Sequence, residues 1–244
     1  MRFGTPWLPG SVKRYLSLQV VIRNIFPVTM LKFCLLVLAT VSYVSSSPVS
    51  DANAVVDAIF KEHVPQLVRR SRWLYPYATI EDFSFKVNEN RITSRGLTVN
   101  MTHGEVRGLD TALQRRGDCR TPFFRGEMIV VVCNLTMQGL NITYTALASR
   151  DSRFAIWKTI WVNANVTDGT VHLEATVPQG QGSGRLRAFD IKDMQLEVTY
   201  DSDLNLNKGS REKFKEEISA KVKEGLRPIF SEYMLLVHHA LADL

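Results

Sequence analysis

The sequence predicts an α+β fold in which a long antiparallel meander, greasy on one face, is covered by helix. Three observations carry this. Within residues 185–206, Met194, Leu196, Val198 and Tyr200 alternate with Gln195, Glu197 and Thr199, the period of a half-buried strand. Four upstream stretches repeat that one-sided pattern. Directly downstream, residues 210–244 place apolar side chains three and four apart, the period of an amphipathic helix.

The N-terminal residues are set aside before the fold is considered. Residues 30–47 have the parts of a secretory signal: Met30, a charge at Lys32, an apolar run over 33–44 and small residues after it. That run falls short of the ~20 residues a membrane-crossing helix needs, so no stable membrane span is expected. Residues 1–29 read as an extension upstream of the true start at Met30, with a long cleaved leader or a signal anchor as the alternatives. Residues 48–244 form the expected single domain.

Removing residues 1–47 changes the charge. The whole chain carries +6, but Arg2, Lys13, Arg14, Arg23 and Lys32 leave with the leader; taking five from 30 leaves 25 basic side chains against 24 acidic ones. A nearly neutral mature chain gives no support to nucleic-acid binding. Cys34 leaves as well, so Cys119 and Cys133 remain as an even pair. In an oxidising compartment they form one disulfide, worth about 3 kcal/mol by loop-closure entropy; two buried thiols are the other reading. Four sequons, at Asn100, Asn134, Asn141 and Asn165, agree with a secreted, extracellular glycoprotein. Asn100 and Asn141 alternate onto the face that the hydrophobic pattern assigns to solvent.

Taken in order, residues 51–70 read as a helix with Val55, Val56, Ile59, Phe60, His63, Val64, Leu67 and Val68 in its apolar stripe. Ser50 or Asp51 is the expected cap and Pro65 the expected kink. Arg69, Arg70 and Arg72 suit a helix C-terminus, or a lipid headgroup. Strands are expected at 79–88, 91–102, 104–112, 125–138, 139–149, 155–166, 169–178 and 185–201. Meanders of such long strands twist and curl. The glycine-rich residues 178–184 lack the Lys-Ser/Thr pair of a phosphate loop and read as a hairpin tip. The last helix starts near Ser210; Pro228 is expected to bend it, and its face broadens with Phe230, Met234, Leu235 and Val237.

Catalytic patterns are missing. Five scattered histidines, no GxSxG or HExxH and no free cysteine argue against an enzyme, a metal site or a cofactor. His238 and His239 alone are weak metal ligands.

With these elements laid out, residues 50–244 resemble one half of a tubular lipid-binding (TULIP) protein, the superfamily of bactericidal/permeability-increasing and lipopolysaccharide-binding proteins. They look most like the mite group 7 allergen family, through Gly104-Glu-Val-Arg-Gly-Leu109, then Arg115-Arg-Gly-Asp118, then the long strands and the strand-to-helix passage at 196–207. Takeout and juvenile-hormone-binding proteins are neighbours, but their N-terminal cysteine pair is missing here. The resemblance implies a strongly curved sheet wrapped around the C-terminal helix, and an apolar groove for a lipid or other hydrophobic molecule, a microbial lipid or fatty acid among the candidates. Its sheet walls would be Leu97, Val99 and Met101, then Leu140, Ile142 and Tyr144, then Val171, Leu173 and Ala175, then Met194, Leu196 and Val198. The helix would add Phe214, Ile218, Val222 and Leu226. The same side chains serve equally as a dry core. Two functions follow: a monomeric or weakly dimeric carrier of a hydrophobic ligand, or a secreted protein-interaction molecule whose core is filled. Arg115 and Arg116 would meet an anionic headgroup or face water.

Overall fold

In the computed structural model the described residues are 47–88, 96–150, 156–179 and 183–243, all within the unit Ser47–Leu244. The expected signal and its extension lie outside them. The first helix is α1 (Pro48–Ala58), which passes through a π-helical turn (Ile59–His63) into α2 (Val64–Arg70). Its cap is Ser47, whose hydroxyl accepts a 3.1 Å bond from the Ser50 amide, upstream of both expected positions, Ser50 and Asp51. The expected disturbance at Pro65 takes the form of that wide turn immediately upstream. Proline has no amide hydrogen to donate and its ring crowds the preceding turn, and a wide turn relieves both.

Nine strands of the described residues form one antiparallel sheet: β1 (Ala78–Ile80), β2 (Phe83–Asn88), β3 (Gly96–Arg107), β4 (Leu113–Arg115), β5 (Phe123–Arg125), β6 (Met128–Met137), β7 (Asn141–Arg150), β8 (Trp157–Pro178) and β9 (Arg185–Tyr200). Their registers reduce them to five ribbons. β6 and β7 face β8 in a single register: Met128 opposite Pro178, Thr136 opposite Thr170, Asn141 opposite Asn165 and Ser149 opposite Trp157. The amide of Gly139 donates to Val166, and that of Val166 to Leu140, so hydrogen bonding crosses the gap between β6 and β7. β1 and β2 likewise share one register along β3, and β3, β4 and β5 run along one edge of the β6–β7 ribbon. The sheet is a meander of these ribbons in chain order, open between β9 and the β1–β2 ribbon.

Bulges curl the ribbons while keeping one face apolar. On β8 the buried positions are Ile160, Val162, Ala164 and Val166, then Val171, Leu173 and Ala175. The parity changes at Thr167–Asp168, where the register against β9 shifts. On the facing ribbon Leu135 and Met137 give way to Leu140 and Ile142 across the exposed Gln138 and Gly139. Gly139 supplies the positive φ (78°) that this change of parity requires. On β3 the change falls at Thr102–Glu105, with His103 at φ 53°. Two expected strand breaks, at 103 and at 167–168, are therefore bulges inside unbroken strands.

The C-terminal helix α3 (Lys208–Ala242) fills the open seam. Asn207 caps it, its side chain accepting a 2.9 Å bond from the Ser210 amide, and the helix runs through Pro228 without interruption. Phe214 lies 5.6 Å from Phe85 of β2 and 4.8 Å from Tyr200 of β9, touching both edges of the sheet. Higher up, Phe189 of β9 meets Tyr233 at 6.3 Å, and Gly225 lets the helix approach Ile80 of β1. The apolar face broadens only in part near the helix end: Phe230 and Val237 are buried, whereas Met234 and Leu235 are exposed.

Candidate functional site

The expected walls lie together, between sheet and α3. Val99, Met101, Leu140, Ile142, Val171, Phe214, Ile218, Val222 and Leu226 are each 0% exposed, so their surfaces adjoin no space that admits a water molecule. Leu97, Leu173, Val198, Tyr144 and Ala175 are also buried. Met194 and Leu196, on the edge strand β9, are half-buried against the same core. Burial raises the Tyr144 phenol well above its ordinary range, aided by the nearby charges of Asp82 and Glu81; its hydroxyl donates to the Glu81 carbonyl at 3.3 Å.

Open space lies elsewhere, at the rim. A groove of about 840 Å³ runs between the segment 72–79 and α3, with Glu81, Pro228, Ile229 and Glu232 completing its lining. Sequence and packing explain its shape. α2 stops at Arg70, and Ser71 turns the chain: its carbonyl accepts from the Tyr75 amide at 3.1 Å and its hydroxyl from the Trp73 amide at 3.3 Å. The Tyr75–Pro76 bond is cis, and the chain then enters β1. Leu74, Ala78 and Ile80 turn inward, while Trp73, Tyr75 and Tyr77 stay outside; Trp73 is 81% exposed. The Arg107 guanidinium lies 4.9 Å from the Tyr77 ring centre and pairs with Glu105 at 2.6 Å, which steadies that wall.

The aromatic segment escaped the sequence reading because it has no period. Its signal was composition: Trp73, Tyr75 and Tyr77 within five residues around a proline, immediately after a basic helix end. Of that basic end, Arg72 reaches the groove, whereas Arg69 pairs with Asp110 at 2.9 Å.

The remaining predicted residues have definite places. Cys119 and Cys133 form the disulfide. Asn134 is exposed and Asn100 half-buried on the outer face; Asn141 and Asn165 face each other across β7 and β8, joined by a 2.8 Å side-chain bond. Arg115 does not face open water. Its guanidinium holds both carboxylate oxygens of Asp57 on α1, at 2.9 and 3.0 Å, and this holds the Asp57 carboxyl below its ordinary range. Arg116 pairs with Asp168 and donates to Thr170 at 2.9 Å. Among the described residues no group of three or more His, Cys, Asp or Glu comes together that could hold a metal ion, and no helix is long and apolar enough to cross a membrane.

A curved, unclosed antiparallel sheet with one long helix in its seam is the arrangement that the sequence resemblance implied. No protein-family model matches the chain. The salivary anticoagulant protein P23 of Ixodes scapularis is 35% identical over 217 residues, spanning 88% of this chain and 97% of that protein. The chain belongs to the family of that salivary protein. Two solved structures overlap it loosely: Epiphyas postvittana Takeout 1, at 14% identity and a TM-score of 0.34, over 77% of this chain and 91% of that one; and a lipopolysaccharide binding protein, at 9% and 0.32, over 78% and 37%.

Proposed function

We propose that this chain is a secreted, non-enzymatic binding protein that captures a hydrophobic group, first of all the acyl chain of a lipid-like ligand, in the groove between segment 72–79 and α3. The observation that carries this reading is the groove itself: about 840 Å³, within the ~300–1,000 Å³ of ordinary ligand sites, with Trp73, Leu74, Pro76, Pro228 and Ile229 as apolar members and Arg72 at hand for an anionic head. The disulfide and the salivary relative support secretion. Native mass spectrometry of the mature chain with a fatty-acid and lysophospholipid panel tests it. One extractable adduct per chain is expected, with affinity at least about tenfold weaker in Trp73→Ala, a loss of about 1.4 kcal/mol. A clean mass with no uptake from the panel would sink it.

A second reading is favoured by the zero exposure of the residues expected to wall an interior cavity. In it the interior is a filled core, and the chain binds a component of blood clotting through its outer surface, in keeping with the name of its relative. Plasma clotting times separate the two. Inhibition that survives solvent stripping of all lipid favours the protein partner; inhibition that disappears on stripping and returns on reloading favours the ligand.

A further inference from the structure

The tripeptide Arg116-Gly117-Asp118 lies outside the groove and has no part in the reading above. We propose that it is a recognition loop for a cell-surface adhesion receptor: one whose site offers a bound divalent cation to a carboxylate and an acidic pocket to a guanidinium, as integrins that read Arg-Gly-Asp do.

The loop is presented rigidly. It leaves β4 and is fixed on both sides to β6, through the Arg116 amide to the Asn134 carbonyl at 2.8 Å and the Arg120 amide to the Val132 carbonyl at 2.9 Å. The Cys119–Cys133 disulfide lies between those two bonds, and the Cys119 amide donates to Asn53 of α1 at 2.9 Å. A loop ordered before binding loses little freedom when it binds. Gly117 stands at its apex with φ 67° and nothing within 4 Å of where a Cβ would be.

The two charged side chains suit the chemistry. Asp118 is 78% exposed. Its contacts with Asn53, at 2.9 Å, and with Arg115, at 3.8 Å, both fall on Oδ1. Oδ2 is thus left for a hard divalent cation, which takes oxygen ligands. Of the two adjacent arginines, Arg115 is committed to Asp57 and is only 20% exposed. Arg116 is 42% exposed and its partner Asp168 39%; an ion pair so wet contributes little and opens easily. Arg116 is therefore the side chain able to swing to a receptor carboxylate, where its planar fork binds bidentately.

The test is surface binding of the glycosylated mature protein, made in a eukaryotic secretory host, to an immobilised Arg-Gly-Asp-reading integrin in magnesium and manganese. Saturable binding is expected, abolished by EDTA and competed by a short Arg-Gly-Asp peptide but not by its Arg-Gly-Glu counterpart. Asp118→Glu and Arg116→Ala are expected to weaken it at least tenfold, and Asp168→Ala, which removes the ion pair and leaves Arg116 only its bond to Thr170, to leave it equal or tighter. Asp118→Asn retains the acceptor for Asn53, so unchanged melting with lost binding separates recognition from folding. Asn134 adjoins the loop, so the measurement is repeated on Asn134→Gln to remove a glycan there. No saturable binding in either form, binding that survives EDTA, or Asp118→Glu at full affinity each overturns the proposal.

Discussion

Asp57 and Arg115 tie α1 to the sheet through two parallel bonds in a half-buried setting, and their effect depends on pH. The pair lowers the folded pKa of Asp57 beneath its unfolded value near 3.8. Its stabilisation is thus complete above that value and is lost as pH falls through the folded pKa. Asp57→Asn is expected to cost about 1–3 kcal/mol at neutral pH by the usual magnitude for charge-assisted bonds. Urea unfolding at a series of pH values would show the gap between variant and parent narrowing as pH falls below about 3.8 and closing once the carboxyl is protonated in the folded parent as well. Gly104 offers a second test. A Cβ there would lie 2.4 Å from both Ile80 Cγ2 and Tyr144 Cε1, so Gly104→Ala overpacks the join of β1, β3 and β7. A loss of about 1–3 kcal/mol is expected from chemical denaturation. The Gly104–Leu109 motif that carries the family resemblance thus has a packing role: Val106 and Leu109 beside it are buried.

Among the elements, the long alternating runs were legible because a half-buried strand needs only a period of two. The buried apolar positions of β7, Ile142, Tyr144, Ala146 and Ala148, follow it, and only Ser149 beside the strand end is buried out of turn. The interruptions were not legible as what they are. A bulge that reverses parity, as at Thr167–Asp168, has the same signature in one dimension as the end of one strand and the start of another; only the partner's register distinguishes them. β4 and β5, three residues each, are too short to show any period and were passed over for the same reason. Only part of the proposed site was legible. The helical period of residues 210–244 covers the α3 side of the groove, but the aromatic wall depends on how the chain turns at Ser71, which no periodic pattern encodes. The disulfide spans 14 positions and bridges the irregular edge between β4 and β5 to β6. Replacing both cysteines by serine is expected to lower stability by about 3 kcal/mol, read as a fall in the urea midpoint without loss of the sheet signal in circular dichroism.

Across the described residues of the molecule, the ladders of the five ribbons pair only chain neighbours, and the two outer edges do not pair with each other. α3 is what joins them, with Phe214 in contact with Phe85 on one edge and Tyr200 on the other. Phe214→Ala is therefore expected to cost about 3–5 kcal/mol, at the upper end for a core truncation, since it opens contacts on both sides of the seam at once. Calorimetry would read it as a large fall in Tm.

That arrangement separates two kinds of order in time. Each hairpin of the meander closes over a short stretch of chain, so the sheet can form progressively as residues follow one another. The seam can be sealed only once residues beyond 208 are present, and until then the part of the apolar face that α3 covers is bare. The outer-face sequons, from Asn100 onward, lie on strands that are finished before the seal arrives. A glycan at these positions would act as a chaperone handle during the interval when the nascent protein is most prone to aggregate, and only later as surface decoration on the finished one.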